Sequence, residues 1–122
     1  MPHLMRVLAG LMGAAGIALT AAAAHGKPGM GLDNAGYLLV IQAAALLGGV
    51  AALQAGLLAR GIGLVALLAL MLGAAVFAGD LAMRAWLGHR LFPMAAPTGG
   101  TVMILGWLLV TVAAGMAMLS SR

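Results

Sequence analysis

Apolar residues run through this chain in four long stretches, each closed by a short break rich in glycine, proline or charge. The stretches cover about Leu4 to Ala24, Ala35 to Ala59, Ile62 to Leu87 and Thr101 to Leu119. About 20 consecutive apolar residues suffice to cross a bilayer as a helix, the one open-chain structure that satisfies its own backbone groups in hydrocarbon. The pattern therefore predicts an all-α membrane protein. Four transmembrane helices form an antiparallel bundle, in one domain over residues 1–122, with both termini on the same side.

The breaks set the expected helix ends. The first stretch starts beside Arg6 and ends in AAAAHG, which imitates a secretory signal, but its length favours a retained first helix. His25, Gly26, Lys27, Pro28, Gly29 and Gly31 interrupt it, and Asp33 and Asn34 are expected to cap the second helix. Arg60, Gly61 and Gly63 read as a short turn, so helices two and three form a hairpin. Pro93, Pro97, Gly99 and Gly100 read as the last connection. In lipid, helices pack through small residues, and helix two carries Ala44, Gly48, Ala52 and Gly56 on one face. Gly10, Gly13 and Gly16 on helix one, and Ala69 and Gly73 on helix three, offer the same close approach.

Composition agrees with the pattern, with 65% hydrophobic and only 7% charged residues. The net charge of +4 comes from bases set singly at the ends of apolar runs, which marks membrane flanks and not a nucleic-acid stripe. Arg6, Arg60 and Arg122 balance Lys27, Arg84 and Arg90 across the membrane, and the amino terminus tips the count toward cytoplasmic termini. The absence of cysteine excludes a thiol nucleophile or thiolate metal site. The ten methionines read as adaptable packing.

Polar chemistry concentrates in FAGDLAMRAWLGHRLFPMAAPTGG, Phe77 to Gly100. Asp80 and Arg84 stand four apart, the spacing at which an acid and a base meet on a helix. The four-span topology sets His25, Gln42 and Thr98 at a similar depth. The candidate cluster is therefore His25, Gln42, Asp80 and Arg84, read either as a structural ion pair or as a polar pocket for a small ligand, a lipid headgroup or a proton. Gln54 reads as an interhelical hydrogen bond. Tyr37, Trp86 and Phe92 read as an aromatic belt at headgroup level. Gly99 and Gly100 mark either a tight turn or a helix start open to phosphate.

Three motifs carry a resemblance. AAAAHG at Ala21 to Gly26, LGAAVFAGDL at Leu72 to Leu81 and APTGGTVMILGW at Ala96 to Trp107 resemble the domain-of-unknown-function 423 family. These are YgdD-like small inner-membrane proteins, related to transmembrane protein 256. The resemblance implies a shared scaffold at Phe77, Gly79, Pro97, Gly99, Gly100, Gly106 and Trp107, four membrane helices and a bacterial inner-membrane location, with no established activity. The chain departs from the family where Gln42 replaces a helix-two histidine and Asp80 replaces a common serine.

No pair of carboxylates converges, no HExxH or nucleophile–base pairing occurs, and no Walker lysine follows the glycines. The expectation is a non-enzymatic accessory or structural membrane component without cofactor or metal, its partners being the lipid bilayer and either a second copy or a larger membrane complex. Nucleic acid is not among them. The alternative is a small transporter or channel, or a lipid or small-ligand binder, using the polar cluster at one membrane face.

Overall fold

The computed structural model describes residues 2–26 and 31–120, and among these every regular element is helical. Helix α1 spans Pro2–Ala24, α2 Leu32–Gln54, α3 Arg60–Trp86 and α4 Ala95–Ser120. Their 23, 23, 27 and 26 residues correspond to roughly 35–40 Å at 1.5 Å per residue. All four are long and apolar enough to cross a membrane. Each packs antiparallel on the next, α1 on α2, α2 on α3 and α3 on α4. The ends of the described chain therefore share one side.

Close approaches occur where a neighbouring backbone needs the space of a missing Cβ. A Cβ on Gly16 would lie 2.8 Å from the Gly36 carbonyl, so α1 and α2 meet backbone to backbone. Gly73 and Gly99 do the same for α3 and α4, each hypothetical Cβ falling 2.7 Å from the other residue's carbonyl oxygen. The tight packing of α1 against α2 makes the first stretch part of the bundle.

Two apolar clusters fill the interior. Met5, Leu46, Val50, Leu58, Leu67, Leu70 and Ala113 bring all four helices and the α2–α3 turn together near the terminal side. Ala35, Leu39, Ala74, Ala78, Leu81 and Met103 fill the other end. Large apolar side chains such as Leu11, Ile17, Leu47, Leu72, Ile104 and Leu108 stay exposed, which in a bilayer means contact with acyl chains.

The helix ends correct several expectations. Helix α2 stops at Gln54, not Ala59, because Gly56 adopts φ 80° and the amides of Gly56 and Leu57 turn back to the Leu53 and Ala52 carbonyls in a Schellman closure. Leu58 then buries itself, and the Ala59 amide donates to the Ala113 carbonyl of α4. The turn is therefore 55–59, while Arg60, Gly61 and Gly63 belong to α3. Helix α4 begins at Ala95, six residues before the expected start, so Pro97, Gly99 and Gly100 are helical. Pro97 fits there because the first turn needs no donor from it. Asp33 and Asn34 lie inside α2 and do not cap it; that place is taken by Gly31 at φ 78°. The small face expected on α2 points outward, with Ala44, Gly48 and Gly56 exposed and no atom within 4 Å of a Cβ on Gly48. Gly36 and Gly49 make the close contacts instead. Lys27 and Arg122 lie outside the described residues.

Candidate functional site

The register of α3 and α4 explains why a carboxylate is held near one membrane face. Gly73 lies against Gly99, and Gly106 lies against Ala66, so the two helices run past each other in step. Seven residues beyond Gly73, Asp80 reaches the connection just before α4. There it is fully buried, and both its oxygens are engaged. Arg84 Nη2 donates to Oδ2 at 2.6 Å, and the Leu91 backbone N–H donates to Oδ1 at 2.8 Å. The carboxylate thus ties α3 to the segment leading into α4. Arg84 remains 23% exposed, so water or headgroups reach one side of the pair.

Helical spacing separates this site from the apolar surface of α3. Met71, Ala75, Ala78 and Ala82 line an open groove of about 670 Å³ between α1 and α3, whose α1 wall includes Leu8, Met12 and Leu19. Gly73, Phe77, Asp80 and Arg84 occupy the other side of α3, where α4 packs. The groove is apolar throughout. It does not open onto the ion pair.

The remaining cluster residues stand apart. His25 is exposed, and its Nδ1 pairs with the Ala21 carbonyl of its own helix at 2.8 Å. Thr98 is exposed, and its amide closes the first turn of α4 onto the Met94 carbonyl. Gln42 is 4% exposed, with Oε1 buried and unpartnered among the described residues. Gly31 lies against Leu81 and Gly49 against Leu67, which sets Gln42 level with Leu70 to Ala74. That is on the order of 10 Å deeper than Asp80 along the helix. Of the four residues, only Asp80 and Arg84 come together.

Sequence reasoning missed the Leu91 amide and read Arg90 as a membrane-flank charge outside the cluster. The signal for the amide was general: a buried carboxylate needs partners on both oxygens, and one arginine nitrogen supplies one. Arg90 directly precedes Leu91, whose amide holds Asp80, so its backbone stands beside the pair. Elsewhere Arg6 Nη1 donates to Gln54 Oε1 at 2.8 Å, so Gln54 makes an interhelical bond on the opposite side of the membrane. Among the described residues no group of three His, Cys, Asp or Glu could hold a metal.

No family model, curated protein or solved structure matches this chain. The motif residues take varied places in the fold. Gly99 and Gly106 make close backbone contacts to α3, and Phe77 packs beside the second cluster. Gly79 lies 3.9 Å, for an added Cβ, from Leu91. Gly100 borders open space, while Trp107 is exposed toward lipid.

Proposed function

We propose that this chain is a non-enzymatic accessory or structural component of a bacterial inner membrane, with its termini in the cytoplasm. The observation that carries this reading is the full engagement of Asp80. Its two oxygens hold Arg84 and Leu91, so the one carboxylate buried among the described residues serves the fold. A transport carboxylate must exchange its partners during the cycle, commonly near mid-bilayer. The transporter or channel reading, built on His25, Gln42, Asp80 and Arg84, is less well supported because Gln42 and His25 stand away from the pair. Membership of the 423 family is part of the proposal and rests on the three motifs.

Partner helices, or a second copy, would meet the exposed Ala44 and Gly48 face of α2, where a backbone can approach closely. Mild-detergent purification through a carboxy-terminal tag, with native electrophoresis, tests this. The expected result is a discrete assembly that Gly48→Leu disrupts while the unfolding midpoint stays unchanged. Absence of both copurifying protein and self-association, or an assembly indifferent to Gly48→Leu, contradicts it.

A further inference from the structure

We propose that the corner formed by Arg84 and Arg90 binds the phosphate of an anionic phospholipid. The charges there do not balance. Arg84 and the Leu91 amide already engage both oxygens of Asp80, and Arg90, the residue before Leu91, adds a second positive charge beside that single carboxylate. Among the described residues Arg90 has no ion pair within 4 Å. The chain has only one other acid, Asp33, which is exposed on the first turn of α2 and accepts from the Asn34 amide. His89, the remaining titratable group of the connection, engages the Arg90 carbonyl through Nδ1. One positive charge is left over at the edge of hydrocarbon, where its solvation is poor and an anion is favoured.

The chemistry of the two side chains selects phosphate. A guanidinium presents five N–H donors in a planar fork matched to phosphate oxygens. Arg84 uses Nη2 on Asp80 and stays 23% exposed, so Arg90, itself exposed, supplies the open fork. The surroundings select a lipid over a soluble ion. Leu87, Leu91, Phe92 and Met94 flank Arg90 with 40–62% of their surface exposed, an apolar collar suited to acyl chains just below a headgroup. A phosphodiester carrying two acyl chains meets both requirements at once. This inference goes beyond the accessory role and does not depend on it.

Native mass spectrometry of the full chain in detergent, with added phosphatidylglycerol or phosphatidylcholine, tests the site. Phosphatidylglycerol is expected to be retained in preference, and Arg90→Gln to weaken that retention about fivefold, as for loss of one basic residue near an anionic surface. Arg60→Gln, at the opposite end of α3, should leave it unchanged, and excess inorganic phosphate should not displace the lipid. Because Arg90 is exposed, Arg90→Gln should unfold at the wild-type midpoint in phosphatidylcholine. Equal retention of the two lipids, an equal loss with Arg60→Gln, or a lowered midpoint for Arg90→Gln would overturn the proposal. Displacement by inorganic phosphate would overturn the assignment to lipid in favour of a soluble anion.

Discussion

Asp80 and Gln42 are both buried polar residues, yet their positions are opposite in kind. Asp80 has a partner for each oxygen, whereas Gln42 leaves Oε1 buried without one among the described residues. An unmet acceptor in an apolar interior costs about 1–3 kcal/mol, and an apolar side chain of similar size avoids that cost. Gln42→Leu is therefore expected to raise stability by about 1–2 kcal/mol, read as a higher unfolding midpoint in detergent. A clear fall would mean that the amide has a partner important to the fold. The Asp80 and Arg84 pair was legible from four-residue spacing alone, because a helix brings such residues together whatever surrounds them. The Leu91 amide was not, since it depends on how the connection folds back across α3. Gln42 looked close to the pair on a count of spans, but depth in a bundle depends on helix register, and register is decided by packing between distant residues.

At the level of helices, the number and order of the spans were plain from the apolar runs, while their ends were displaced by several residues. Glycine accounts for most of the displacement. In water-soluble proteins it punctuates, but Gly61, Gly63, Gly99 and Gly100 all lie inside helices here. The backbone bonds of a span have no competing water, so glycine can serve as a contact surface. Conversely, Leu57 and Leu58 continue an apolar pattern but lie beyond the Gly56 turn, a stop that hydrophobicity does not signal. The contact role separates two adjacent glycines sharply. A Cβ on Gly99 would fall 2.7 Å from the Gly73 carbonyl and from the Phe77 amide nitrogen, backbone atoms that cannot rotate away. Gly99→Ala should therefore destabilise the fold by about 1–3 kcal/mol, whereas Gly100→Ala, bordering open space, should be close to neutral. Unfolding midpoints of the two variants check this, and equal effects would refute the assigned α3–α4 register.

Across the whole molecule, interior contacts run through both ends of the bundle, and exposed apolar side chains cover its outside. Polar ties reinforce the two ends, Arg6 to Gln54 on the terminal side and Asp80 with Arg84 and Leu91 on the other. The central claim is that this second tie holds the bundle together. Breaking a buried ion pair by removing one partner costs about 3–5 kcal/mol, while replacing both with apolar residues is often neutral. Asp80 is fully buried and Arg84 is 23% exposed, so stranding the carboxylate is the harsher change. The most direct measurement compares unfolding midpoints of Arg84→Met, Asp80→Leu and the double variant in the same detergent. The account predicts the largest fall for Arg84→Met, a smaller one for Asp80→Leu and recovery of most of the lost stability in the double variant; an Arg84→Met protein as stable as wild type would contradict it.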